Sequence, residues 1–341
     1  QDNYHVESLI CNNGPLDENN QPTKRNYGAV ISQDITITSG QDLECTFTNS
    51  RNLGTLIVKK IVKNDNGGTL TAKDFSFQVN GETAIQFEED GENSLSKYAG
   101  LSYTITEPEV PGYKTTYNNC TDVVVPFNGT VTCTITNNDI QPKLTVIKEV
   151  VNNYGGQAVA SNFTMLVQGT NVSSTSFEGS DGTVVTLNAG SYSVDEENYP
   201  GYSKSIGANC SGTINIGEEK TCTITNTDIA PTLTLTKIVN NNYGGTKGVS
   251  DFPLFIDTTQ TTSGTPVTLK SNQEYTVSET NQSGYEPSSW TGDCSADGKI
   301  TLQPGQKATC TITNNDIQPK LTVVKEVVNN YGGQAVASNF T

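Results

Sequence analysis

Three side-chain types able to react with one another recur at fixed places along the chain. A lysine stands seven residues before each Gly-Gly pair, at Lys60, Lys148, Lys237 and Lys325. A glutamate closes each Tyr-x-(Ile/Val)-x-Glu run, at Glu107, Glu196 and Glu279. An asparagine ends each Cys-Thr-Ile-Thr-Asn string, at Asn137, Asn226 and Asn314, and Asn49 ends the variant Cys-Thr-Phe-Thr-Asn. Each falls in phase with the apolar residues of a period-two segment, as Lys148 does with Leu144 and Val146, so all three should face a core. Burial favours the neutral, nucleophilic form of a lysine amine, and a buried acid can hydrogen-bond to and polarise the carbonyl of an amide under attack. The product would be a Lys-Asn isopeptide bond, assisted by the glutamate. The same parity also fits an unreacted Lys-Glu pair with Asn as hydrogen-bond partner, an arrangement that costs desolvation.

The elements that must hold these residues repeat with them. Cys45, Cys133, Cys222 and Cys310 are 88, 89 and 88 positions apart, which makes the chain a tandem array. The units read as the end of a repeat at 1–53, complete repeats at 54–141, 142–230 and 231–318, and the first strands of a further repeat at 319–341. Residues 319–341 match 142–164 at every position except Val324 in place of Ile147. Alternating patterns such as Thr130 to Asn137, with Gly-Gly, Pro-Gly and Asn-Gly between them, predict about seven short strands per repeat in an all-β sandwich or barrel of antiparallel strands. Helical spacing is absent. The connections, such as Asn138-Asp-Ile-Gln-Pro142, are short and contain proline, so neighbouring repeats should be stiffly coupled.

The eight cysteines fall into one pair per repeat: Cys11 with Cys45, Cys120 with Cys133, Cys210 with Cys222 and Cys294 with Cys310. Equal placement reads as disulfides and an oxidising compartment, each pair bracketing a hairpin. Metal-binding thiols are the competing reading, against which stand the lack of any Cys-x-x-Cys and a single histidine, His5. Twenty Lys and Arg against 36 Asp and Glu give a net charge of −16, which argues against nucleic acid or an anionic membrane face as partner. Asn-x-Ser/Thr triplets at Asn119, Asn128, Asn162, Asn171, Asn209, Asn281 and Asn339 would suit glycosylation of a secreted surface. No run of the sequence has the length and apolar character of a membrane span.

With these residues in hand, the repeats resemble the prealbumin-like, CnaB or SpaA-type domains of bacterial pilins and adhesin stalks. The resemblance rests on Tyr103-Thr-Ile-Thr-Glu107-Pro-Glu-Val-Pro-Gly-Tyr113 and Tyr192-Ser-Val-Asp-Glu196-Glu-Asn-Tyr-Pro-Gly-Tyr202, while Tyr275 to Tyr285 has Ser283 in the proline's place. It implies prealbumin/Ig-like sandwiches of about 88 residues and triads Lys60-Glu107-Asn137, Lys148-Glu196-Asn226 and Lys237-Glu279-Asn314. A cysteine pair in every repeat departs from the family's usual pattern, and raises the alternative that a disulfide replaces the isopeptide link.

Other features point elsewhere only weakly. Asn64-Asp-Asn-Gly-Gly68 has the look of a calcium loop, but Asn152-Asn-Tyr-Gly-Gly156 drops the aspartate, so a turn is expected. Trp290 and Tyr285 could make a sugar platform, with packing the blander reading. No catalytic triad on an outside substrate, no cofactor motif and no metal set is legible. In the first unit Tyr4 precedes Cys11 as Tyr113 precedes Cys120, so Glu7 is not a triad glutamate, Asn49 lacks its partners, and Asn12 to Gln33 is an insertion read as a surface loop or a contact to a neighbour. The expectation is a structural fibre or adhesin stalk at the cell surface that contacts its own repeats and other copies of itself. The alternative is an adhesin that binds a glycan or cell-surface protein through one divergent repeat. Lys325 and Asn49 could in principle pair between chains by strand donation, but the fragments lack the intervening strands and the glutamate, so a continuous tandem chain is the preferred reading.

Overall fold

A computed structural model describes residues 4–340 except 19, 20, 22 and 31. It is β structure throughout, with only three-residue 3-10 turns as helical elements among the described residues. The second complete repeat shows the plan. One sheet runs Thr183–Thr186, Lys143–Val151, Glu219–Asp228, Tyr202–Ile206, and the facing sheet runs Ser176–Glu178, Thr164–Gln168, Gly190–Glu196, Ser211–Ile214. Four strands face four strands, one more than the spacing of turn residues predicts. The alternation of threonine with apolar residues has the expected result: along Glu219–Asp228, Cys222, Ile224, Asn226 and Asp228 are buried and the threonines between them are half-exposed.

One pairing departs from the antiparallel expectation. In every complete repeat the first and last strands lie side by side and parallel: Leu53–Lys63 with Thr130–Asp139, Lys143–Val151 with Glu219–Asp228, Thr232–Asn240 with Lys307–Asp316. A parallel pair needs a long crossover between its members, and here that crossover is the rest of the repeat.

All four expected disulfides are present. The complete repeats do not use them to bracket a simple hairpin. Between Cys120 and Cys133 the chain crosses to the other sheet, where Val123–Val124 pairs with Ser102–Tyr103, and between Cys210 and Cys222 the strand Ser211–Ile214 pairs with Gly190–Glu196. The disulfide therefore ties a strand-to-strand excursion at its base. In the first unit Cys11 and Cys45 stand directly opposite on Tyr4–Cys11 and Cys45–Arg51. The insertion there, apart from its undescribed positions, folds back so that Arg25–Asn26 adds a third strand beside Tyr4–Cys11.

Neighbouring repeats meet through the same backbone bonds at both junctions. Ala189 N donates to Asn66 O at 2.8 Å and Ser271 N to Tyr154 O at 2.7 Å; Gly217 N donates to Ile140 O at 2.6 Å and Gly305 N to Ile229 O at 2.7 Å. Gly155 has a φ of +88°, and a Cβ there would lie 2.5 Å from Ser271 O, so the turn can approach the next repeat only as glycine. Among the described residues 319–340 no strand forms, contrary to the expectation from their sequence, and Leu321 and Val323 are exposed. The strands that pair with their counterparts at 142–164 come from later in a repeat.

Candidate cross-linking site

Each triad is assembled by the parallel pair and the sheet opposite. Lys60 stands beside Ile135 in the ladder and Asn137 beside Val62, so the lysine reaches diagonally to an asparagine on the same inward face. Lys148 with Ile224, and Lys237 with Ile312, keep the same register. The glutamate comes from the end of a facing strand: Glu196 ends Gly190–Glu196, Glu279 ends Glu274–Glu279 and Glu107 follows Ile105–Thr106.

The three side chains meet in all complete repeats. Lys60 Nζ donates to Asn137 Oδ1 at 2.6 Å and to Glu107 Oε2, while Asn137 Nδ2 donates to Glu107 Oε1 at 2.6 Å. Lys148 Nζ donates to Asn226 Oδ1 at 2.7 Å and lies 3.1 Å from Glu196 Oε2, and Asn226 Nδ2 donates to Glu196 Oε1 at 2.5 Å. Lys237 Nζ donates to Glu279 Oε2 at 2.6 Å and to Asn314 Oδ1. None of the three lysine side chains reaches solvent.

Each ammonium also rests on a phenylalanine that sequence reasoning passed over. Nζ of Lys60, Lys148 and Lys237 lies 3.8, 4.2 and 4.5 Å from the ring centres of Phe75, Phe163 and Phe252. Those rings pack edge-on against Tyr113, Tyr202 and Tyr285. The signal was in the sequence, since each phenylalanine follows its lysine by fifteen positions, as Phe340 follows Lys325. In this apolar floor, burial pushes the pKa of each lysine below its ordinary value, against the upward pull of its glutamate. The arrangement can thus hold an amine against an amide carbon, with a carboxyl group alongside to carry a proton.

A second constellation was also missed. Asp139, Asp228 and Asp316, two residues past each triad asparagine, are buried and accept backbone N–H bonds from the Gly-Gly loop, Asp228 from Asn153, Tyr154 and Gly156 at 2.7 to 2.8 Å. The loop that resembled a calcium site therefore points N–H groups, not oxygens, at its centre. The tyrosine of each Gly-Tyr pair steadies the same loop, as Tyr202 does by donating to Asn152 Oδ1 at 2.6 Å.

Other expected site residues fall elsewhere. Asn49 and Lys325 are both exposed, and among the described residues no hydrogen bond or ion pair joins them; Lys325 Nζ stands 4.5 Å from the centre of Phe340. Trp290 and Tyr285 are each 8 % exposed, Trp290 within the third core and Tyr285 packed against Phe252, so they offer no sugar platform. The acceptor asparagines Asn119, Asn128, Asn162, Asn171, Asn209, Asn281 and Asn339 are all exposed. Asn119 Nδ2 donates to Thr132 O at 2.9 Å.

The prealbumin-like fold domain family matches this sequence three times, over residues 52–138, 139–225 and 228–312. The chain belongs to that family. Among solved structures, this prealbumin-like array is similar to the TIE protein of Bacillus anthracis (15% identity, TM-score 0.48, covering 92% of this chain and 68% of that one). It is also similar to two B repeat units of the collagen binding protein of Staphylococcus aureus (14%, TM-score 0.27, 93% and 94%) and to a major pilin of Streptococcus pyogenes (15%, TM-score 0.24, 52% and 99%). Among curated proteins, no sequence matches significantly. The three prealbumin-like domains each carry one disulfide, which fits folding in an oxidising compartment. No helix among the described residues is long and apolar enough to cross a membrane.

Proposed function

We propose that the chain is a load-bearing segment of an extracellular fibre or adhesin stalk, and that each complete repeat joins its first strand to its last through a Lys-Asn isopeptide bond. The bonds are Lys60 to Asn137, Lys148 to Asn226 and Lys237 to Asn314, with Glu107, Glu196 and Glu279 assisting. The observation that carries this reading is the threefold recurrence of a buried lysine amine on an asparagine carboxamide with a carboxyl group in contact. An unreacted buried pair of this kind is often replaceable by apolar residues without loss, so its retention in three repeats favours a covalent use.

The parallel ladder gives the bond a mechanical purpose. Tension enters a repeat at the start of its first strand and leaves at the end of its last. A link from Lys148 to Asn226 carries that tension directly from strand to strand, so the residues between them bear none of it. The disulfide lies inside this sheltered stretch and serves folding stability instead. Stiff junctions between repeats then make the array a rod, continuous along the chain, that turns over no outside substrate. The net charge of −16 leaves nucleic acid an unsuitable partner.

Intact mass of the reduced protein tests the reading. It should fall short of the sequence mass by one ammonia for each of three bonds, and Glu107→Ala should restore one. A reduced mass equal to the sequence mass would leave Lys60, Lys148 and Lys237 as merely buried partners.

A further inference from the structure

The three triads share their residue types but not their hydrogen bonds, and the difference tracks one position. The strand that begins at the buried tyrosine runs antiparallel to the last strand, and its third residue stands directly opposite the triad asparagine: Thr115 opposite Asn137, Lys204 opposite Asn226, Pro287 opposite Asn314. Asn137 Nδ2 donates to Thr115 Oγ1 at 3.2 Å as well as to Glu107, and Thr115 Oγ1 donates to the same Glu107 Oε1 at 3.4 Å. Lys204 Nζ donates to the Glu196 backbone oxygen at 3.1 Å and to Asp195 Oδ1 at 2.5 Å, which pins the end of the strand carrying the acid. Pro287 has neither hydroxyl nor amine. In that repeat Asn314 Nδ2 and Glu279 Oε1 are both buried without a hydrogen-bond partner.

The reaction makes this difference consequential. Nζ of the neutral lysine forms a bond to the asparagine Cγ, Nζ gives up one proton, the Cγ–Nδ2 bond breaks, and Nδ2 takes up that proton to leave as ammonia. A carboxyl group touching Nζ through one oxygen and Nδ2 through the other can carry the proton between them. Glu107 is so placed through hydrogen bonds on both oxygens, and Glu196 accepts from Asn226 Nδ2 through Oε1 while its Oε2 lies 3.1 Å from Lys148 Nζ without a hydrogen bond. Glu279 meets only the lysine, through Oε2.

We propose that the residue opposite the asparagine, Thr115, Lys204 or Pro287, is a positioning residue that grades how fast each repeat cross-links, the third repeat being slowest. This rests on the cross-linking reading above.

The test times bond formation in the full chain, synthesised cell-free in an oxidising mixture, quenched at intervals and mapped by mass for each linked peptide pair. General acid–base assistance is worth about 10²–10⁴-fold, so with that contact missing the Lys237–Asn314 pair should form at least about tenfold more slowly than Lys60–Asn137. Pro287→Thr should speed the third repeat. Thr115→Val should slow the first, and Thr115→Ser should restore it, a rescue that packing alone would not give. The Cys294–Cys310 peptide in the same digest reports whether the third repeat has folded; if Pro287→Thr prevents that disulfide, the Thr115 pair of variants decides. Equal rates in all three repeats, or Thr115→Val reacting as fast as the parent, would overturn the proposal. Linked peptides in none of the repeats would instead sink the cross-linking reading itself.

Discussion

Residues 142–163 and 319–340 have the same sequence but for Ile147 and Val324, yet they adopt different structures. In the first, Lys143–Val151 is a strand with Leu144 fully buried and Val146 1 % exposed; in the second, Leu321 is 89 % and Val323 82 % exposed and no strand forms. What survives in both is local. The 3-10 turn Ala160–Asn162 recurs at Ala337–Asn339. Asn152 Nδ2 donates to Ala158 O at 3.0 Å as Asn329 Nδ2 does to Ala335 O at 2.9 Å. Even the lysine over its phenylalanine is kept, at 4.2 and 4.5 Å. The pair separates what a stretch of chain does alone from what its neighbours make of it: turns and short side-chain contacts are intrinsic, whereas a strand and a buried amine need the ladders of Glu219–Asp228 and Thr183–Thr186.

The largest effect should appear in limited proteolysis. In an Asn226→Ala protein, where Lys148 stays a free amine, trypsin under native conditions should cut after Lys325 orders of magnitude faster than after Lys148, because cleavage of the buried site waits on opening of the repeat. Comparable rates, measured by peptide release, would mean that the first strand of the second repeat is no better held than the tail.

Next in size is a matched pair of truncations. Leu144→Ala should cost the second repeat about 2–5 kcal/mol by leaving a cavity in a filled core. Leu321→Ala should change stability by less than about 0.5 kcal/mol, read from the thermal midpoints of the two variants.

The smallest effect concerns protons. In an Asn226→Ala protein Lys148 must stay a free amine. Burial holds its pKa below the ordinary 10.5 in the folded repeat, and unfolding returns it to that value. Between the two the unfolded chain binds more protons, so stability of the second repeat should rise with pH through the window below 10.5 and fall as pH drops through it. Adding Lys148→Met should flatten that slope in thermal melts, and Lys325→Met should leave it as it was.

Much of this was legible in the sequence, for one reason: strand parity is a local property. The phase of Lys148, Glu196 and Asn226 with apolar neighbours shows which face each side chain takes, and repetition assigns the cysteine partners. Parity carries no record of which strand lies alongside, and so the parallel pairing of Lys143–Val151 with Glu219–Asp228 was not foreseen. Nor was the crossing of the chain to the other sheet between Cys210 and Cys222, for a short loop and a short strand have similar composition. Phe163 and Asp228 were overlooked although they recur as regularly as the triads. An apolar aromatic just before a strand reads as ordinary core, and an aspartate at a strand end as ordinary turn, until the ammonium above the one and the N–H groups around the other are seen.

The sequence by itself determined the repeat length, the inward face of each strand and the set of reactive groups in each repeat, because these follow from side-chain identity and a period of two. Only the tertiary structure decided which of those groups are in register. Lysine and asparagine are some 77 residues apart in the chain and meet because two strands align in parallel, and the glutamate oxygens turn toward Asn137 and Asn226 but not toward Asn314. Such alignment is fixed by the packing of one whole sheet against another, a sum over many contacts that no single segment encodes.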